Sequence, residues 1–288
     1  MNTAWSGLID DAALFPPGDV PLPRALPAHL GYRTAWFADL VGPFVFPAPR
    51  LGELAAALAA VPDGHALDIS LTVPVGAPAL PPALDALAKL PAVRLAAVEI
   101  ALPDGPSVGD TLTVLDRELP PEVTAHVEVP RGAFGAEVAD AIAASRHHAK
   151  LRTGGTVATA FPGERELAAA LIICARRGLA FKCTAGLHHA LRHTDPVTGF
   201  EHHGFLNVLL ATEAALDGAE RDAVAALLAE RSAGPVRDRV AALGADGVAR
   251  VRSTFTSVGS CSVHEPVDDL TTLGLLTAPD DGTPGNRG

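Results

Sequence analysis

Short aliphatic and β-branched runs alternate along the chain with Ala- and Leu-rich stretches, the pattern of a parallel α/β fold. The strand-like runs are Gly7–Phe15, a segment within Thr34–Phe46, Leu67–Val75, Leu95–Leu102, Val123–Val129, Ala149–Thr153, Leu179–Thr184 and Val251–Val258. Between them, Leu51–Val61, Pro81–Leu90, Ala136–Ala144 and Glu164–Arg177 read as helices, the last closed by Gly178. Eight strands interleaved with helices in 288 residues suit a closed barrel, typically about 250 residues, better than an open doubly wound sheet. The expected fold is therefore a single α/β domain, a (β/α)8 TIM-like barrel over residues 1–278. Residues from about 194 to 250 are too many for one crossover and read as a helical insertion between strands seven and eight. The Pro-, Gly- and Asp-rich residues 279–288 read as a disordered tail.

In a barrel, alternate strand residues face inward and function gathers at the carboxyl ends. That alternation singles out Glu99 on strand four and places His126 and Glu128 on one face of strand five. Lys150 and Arg152 share a face of strand six, and Lys182 and Thr184 a face of strand seven. An unpaired buried charge is very costly, so these groups must pair with one another or with a ligand. Glu99–Lys150 and Glu128–Lys182 are the pairs expected if the charges are only structural. Near the start, one of Asp10 and Asp11 must face inward, and Asp10 is taken as the candidate to orient a substrate or meet a lysine.

Composition sharpens the lysines. The chain has 22 basic residues, of which only Lys89, Lys150 and Lys182 are lysine. A lysine retained where arginine is so favoured points to a position where arginine cannot serve. Lys89 falls in a surface-like helix, whereas the other two fall in strands. Two neighbouring lysines depress each other's pKa, and a neutral lysine can attack a carbonyl to form a Schiff base. The net charge of −11 speaks against nucleic acid and against an anionic membrane surface. No apolar run approaches the roughly 20 residues of a membrane span, and Met1–Ala13 lacks the basic flank of a signal peptide. Three cysteines without paired spacing (Cys174, Cys183 and Cys261) suit a reducing, cytoplasmic setting.

The segment KLRTGG at Lys150, followed by FKCTAG at Lys182, resembles the paired lysine strands of deoxyribose-phosphate aldolase and related class I aldolases. The resemblance implies a Schiff base on Lys150, with Lys182 as the cation that tunes it. It covers only these two strands, and Leu151-Arg152 stand where that family usually carries small hydroxyl residues. LIDDAALFPPG together with FKCTAGLHHALRH also resembles a bacterial TIM-barrel-like family, a likeness that implies no activity.

Five histidines cluster after strand seven: His188, His189, His193, His202 and His203. On a helix, His189 and His193 would share one face and suit a metal, but the glutamate of an HExxH helix is absent. His188, directly after the turn, is the candidate acid/base. Arg152, Thr184 and Gly186, with Ser260 and Ser262 in the Gly-Ser-Cys-Ser turn after strand eight, are candidates for holding a small, possibly phosphorylated, ligand. Glu265 is available to the site or to a helix start. No GxGxxG or Walker loop occurs, and neither cofactor nor metal is expected.

Three functions remain open: a lysine-dependent lyase or aldolase on a small carbonyl substrate, a metal-dependent isomerase or hydrolase using Glu99, Glu128 and histidines, and a barrel that binds a small acid or sugar without catalysis. Assembly into a homo-oligomer is left open.

Overall fold

A computed structural model describes residues 3–61, 66–102 and 107–279. Eight parallel strands close into a barrel: β1 (Ile9–Asp11), β2 (Val41–Pro47), β3 (Leu67–Val73), β4 (Val93–Ala101), β5 (Thr124–Glu128), β6 (His148–Arg152), β7 (Phe181–Thr184) and β10 (Phe255–Ser260). Each of β1 to β6 runs beside its sequence neighbours, and β10 fills the gap between β7 and β1. The helices α1 (Leu22–Tyr32), α2 (Leu51–Leu58), α3 (Leu80–Leu87), α4 (Val108–Glu118), α5 (Ala136–Ala143) and α6 (Glu164–Arg177) form the successive crossovers. The fold is thus a (β/α)8 barrel.

The apolar core lies outside the strands, between sheet and helices. Phe44, Phe46, Ile69, Leu71, Ile100, Val127, Phe181 and Val258 are all buried there with the inner faces of the helices. The barrel interior is instead polar. Asp10, Ser70, Thr72, Glu99, His126, Lys150, Lys182 and Ser257 are buried, on strands whose outward residues are aliphatic or aromatic. This alternation gives strands of period two without the continuous apolar run usual in parallel sheets.

Between β7 and β10 the chain makes a short hairpin, β8 (His193–Thr194) with β9 (Glu201–His202), and then α7 (Phe205–Leu216), α8 (Arg221–Ala229) and α9 (Ala233–Arg252). Helix α7 is apolar nearly all round because α6, α8, α9 and β10 enclose it. The last helix is α10 (His264–Thr272).

Three sequence expectations need correction. Val251 and Arg252 end α9 rather than opening the eighth strand, because Val248 and Val251 fall on its buried face. Strand one is only three residues long, since the chain turns into Pro16-Pro17 soon after Asp11. Helices α1 and α4 were not anticipated. Prolines 23 and 27 disguise α1, and α4 carries a Ser107/Asp110 capping box that could have been read. The tail expected over residues 279–288 lies, from residue 280 on, outside the described residues. Among the described residues no helix is long and apolar enough to cross a membrane.

Gly42 on β2 shows how tightly the polar interior is built. A Cβ at this position would overlap Asp10 Oδ1 on the neighbouring strand. Gly42→Ala is therefore expected to lower stability by about 1–3 kcal/mol, the usual penalty of overpacking. Urea unfolding measures this, and an unchanged midpoint would contradict the packing.

Candidate active site

The strand register brings the predicted charges together. Glu99 on β4 lies level with Thr72 and His126, Glu128 on β5 with Lys150, and Lys150 on β6 with Lys182 on β7. Glu99 is the hub. Its Oε2 lies 2.8 Å from Lys150 Nζ and its Oε1 2.6 Å from Lys182 Nζ. Ser70 Oγ donates to the same Oε1 at 2.8 Å. Lys182 also donates to Asp10 Oδ2 at 2.5 Å, and Ser257 supports Asp10 at 2.8 Å. Lys150 meets Glu128 Oε2 at 2.7 Å, and Arg152 holds the other oxygen of Glu128 at 2.7 Å.

The alternating carboxylates and cations form one continuous chain: Asp10, Lys182, Glu99, Lys150, Glu128, Arg152. Three formal negative charges face three positive ones, which offsets the desolvation that would expel any one of them alone. The expected Glu99–Lys150 pair is present. The expected Glu128–Lys182 pair is not; Lys182 turns to Asp10, one strand beyond β10, and leaves Glu128 to Lys150 and Arg152. The expectation that the neighbouring lysines depress each other is corrected for Lys182. Burial alone would lower its pKa, but Asp10 and Glu99 outweigh burial and raise it, so the ammonium is kept. Burial would raise Glu99, yet the two lysines hold its carboxyl far below the usual carboxylate range. Glu128 is lowered against burial by Lys150 and Arg152, whereas burial raises Asp10 even against Lys182. Burial, with Lys182 nearby, keeps His126 neutral.

A cavity of about 440 Å³ opens at the carboxyl ends of the strands. Glu99, Glu128, Lys150, Arg152, Thr184 and His188 line it, as do Thr72, Phe15 and Cys261. Lys182 and Asp10 lie beneath it, essentially closed from solvent. Ala185 and Gly186 both adopt positive φ, 62° and 77°, where β7 gives way to the loop. For Ala185 this is a strained conformation, held in place by Thr153 Oγ1 donating to its carbonyl at 2.6 Å. The pair turns the chain so that His188 reaches the cavity.

Other predicted groups sit elsewhere. Gly186 shapes the turn and stands off the cavity wall. Ser260 Oγ donates to the Ser262 carbonyl at 2.6 Å, and Ser262 Oγ accepts from Glu265 N at 3.2 Å, so both hydroxyls are engaged in the turn into α10. Asp11 faces outward and meets His29 Nδ1 at 3.0 Å. No helix carries His189 and His193: His193 begins the β8 strand, and His189 meets Asp269 at 3.2 Å. Buried His203 donates through Nε2 to the Pro162 carbonyl at 2.8 Å, and burial pushes its pKa down to about 4. His203 thus ties the end of the hairpin to the segment before α6, and His189 ties its approach to α10. Among the described residues no group of three or more His, Cys, Asp or Glu is arranged to hold a metal ion.

Sequence reasoning missed Cys261 as a wall residue facing His188. Cys261 Sγ lies 3.1 Å from His188 Nδ1, and the same nitrogen is 3.2 Å from Glu265 Oε2. The partners are far apart in sequence, and no local spacing announces them. No protein-family model, curated protein or solved structure matches this chain.

Two predictions follow from these charges. Glu99→Ala leaves both lysines short of a partner and should cost about 3–5 kcal/mol, as breaking a buried pair does. Chemical denaturation reads this, and a loss below about 1 kcal/mol, as for an exposed pair, would refute the hub. His188 is lowered by burial but raised more by Cys261 and Glu265, to about 9. Its folded pKa exceeds the unfolded value near 6.5, so the stability its charge contributes is full below about pH 6.5 and is lost as pH rises through about 9. NMR titration of the His188 ring should show its midpoint near pH 9, and a midpoint at or below 6.5 would contradict the arrangement.

Proposed function

We propose that this barrel is a lysine-dependent lyase of the aldolase type, in which Lys150 forms a Schiff base with a small anionic carbonyl compound. The observation that carries the reading is positional. Alone of the three lysines, Lys150 lines the cavity, while Lys182 lies directly beside it on the next strand as a buried cation. That is the division of roles implied by the class I aldolase likeness of KLRTGG and FKCTAG: one amine that reacts and one that stays charged.

The chemistry requires a neutral amine. Glu128, 2.7 Å from Lys150 Nζ and on the cavity wall, is placed to take the ammonium proton. Glu99 is less suited to this, because Lys150 and Lys182 together hold its pKa far below the usual carboxylate range and make it a weak base. The freed nitrogen lone pair then forms the C–N bond to the carbonyl carbon. The carbonyl oxygen collects protons and leaves as water, giving the iminium, which draws electrons from the adjacent bond to be cleaved. Arg152 is half-open to solvent beside Glu128 and offers the cation for the substrate's anionic group. As Arg152 turns to the substrate its hold on Glu128 loosens, and Glu128 becomes the stronger base at the moment a substrate is present. His188, as an imidazolium on the cavity wall, supplies a proton donor.

Borohydride reduction in the presence of a panel of small aldehydes and keto acids, followed by peptide mass mapping, tests the assignment. The adduct is expected on Lys150 and should disappear in Lys150→Arg, which keeps the charge but cannot form the imine. Glu128→Gln should lower turnover by ~10²–10⁴-fold, the usual contribution of a positioned base. Adducts on Lys89 alone, or none with a compound that is demonstrably turned over, would end the Schiff-base reading.

A further inference from the structure

Next to the lysine strand, the cavity wall carries a cysteine that the lyase reading does not use. Strands β7 and β10 are neighbours, so the loops that leave their carboxyl ends meet over the barrel mouth. The first brings His188 and the second Cys261, and both line the cavity. The His188 ring is largely buried, and its Nδ1 is shared between Cys261 Sγ at 3.1 Å and Glu265 Oε2 at 3.2 Å. Nε2 lies 3.6 Å from the same sulfur, so both ring nitrogens are close to the thiol.

Three features fix this geometry. The left-handed Ala185-Gly186 turn aims His188 inward. The Ser260 hydroxyl, bonded to the Ser262 carbonyl, sets the turn that presents Cys261. On the outer side, the loop after β1 packs so closely that a Cβ on Gly18 would come within 2.9 Å of Cys261 Cβ. That closes the flank and leaves the cavity as the approach to the sulfur. The carboxylate of Glu265 favours a protonated imidazole, which holds a proton donor beside the sulfur. The other two cysteines have no such setting. Cys174 and Cys183 are buried among apolar groups, and burial pushes their thiols up, away from the reactive form.

We propose that Cys261, with His188 as its proton partner and Glu265 orienting that imidazole, is a second nucleophilic centre of the cavity that adds reversibly to small aldehydes. The thiolate lone pair forms the S–C bond, and the carbonyl π pair moves to oxygen. That oxygen takes the proton of the His188 imidazolium to give a hemithioacetal. Nothing is oxidised or reduced, and the reverse step returns aldehyde and thiolate. The inference shares His188 with the proposed lyase but not its nucleophile or base, because neither Lys150 nor Glu128 takes part.

The test labels the intact protein with iodoacetamide at pH 7 and maps the alkylated peptides. Cys261 should react about tenfold or more faster than glutathione, as expected for a thiol held beside an imidazole that can take its proton. Cys174 and Cys183 should stay unlabelled, which also reports that each variant is folded. His188→Gln should bring Cys261 down to the glutathione rate, and Glu265→Gln, a change at a half-exposed position, should slow it in the same direction. Glyceraldehyde, at a concentration that leaves glutathione labelling unchanged, should protect Cys261 both in the wild type and in Lys150→Arg. Labelling no faster than glutathione, or a rate unmoved by both the His188 and Glu265 changes, overturns the proposal. So does absence of protection. Protection seen in the wild type but lost in Lys150→Arg would also overturn it, while assigning the aldehyde to the lysine and leaving the lyase reading intact.

Discussion

Glu99 is the carboxylate on which the barrel interior closes. It has two oxygens and three donors: Lys150 on one, Lys182 and Ser70 on the other. A carboxylate with almost no exposure stays ionised only because two ammonium groups meet it directly, each itself largely withdrawn from water. The consequence is geometric. Strands β3, β4, β6 and β7 must hold one register for these four side chains to meet, and β1 and β10 must bring Asp10 and Ser257 to the far side of Lys182. A slip by one residue on any of these strands would turn a charge into the apolar layer between sheet and helices. The polar interior therefore specifies alignment, while the favourable burial of apolar area comes from the outer layer.

The same chain of charges gives the two lysines different roles. They are register partners on adjacent strands, yet Lys182 is closed between Asp10 and Glu99, and Lys150 reaches the cavity between Glu99 and Glu128. Depth decides this. Lys182 meets Asp10 in a layer below the mouth, where Gly42 makes room for the carboxylate. Lys150 meets Glu128, whose other oxygen is held by an arginine that solvent reaches. Charge thus runs from a sealed end to an open one, and a ligand entering the cavity competes at the open end, where displacement is cheapest.

The rim is built on different physics. Above the strand ends the backbone departs from ladder geometry, with Ala185 held in a left-handed conformation by Thr153. The hairpin and its histidines are pinned by Arg192, which is buried and pairs with Glu164 at 2.6 Å on the first turn of α6. These contacts tie the loop after β7 to β6 and α6, while Ser260 and Ser262 set the turn after β10, so His188, Cys261 and Glu265 meet although they come from separate segments.

The alternation of strand and helix along the sequence is sufficient to give a (β/α)8 barrel, and the alternation within strands to place Glu99, Glu128, Lys150 and Lys182 on inward faces. Those features are local, since period two and charge at a strand end can be read in a few residues. Two helices are less legible, α1 because it carries interior prolines and α4 because little but its capping box announces it, and the valines on the buried face of α9 imitate the start of a strand. Partner choice was decided only by the tertiary structure. Lys182 joins Asp10 rather than Glu128, Ser260 and Ser262 bond within their own turn, the clustered histidines disperse among carbonyls and carboxylates, and Cys261 meets His188. Each of these contacts joins positions distant in sequence or is set by how a loop folds over the mouth. Composition and period fix which face a residue takes, but closure of the barrel fixes whom it meets there.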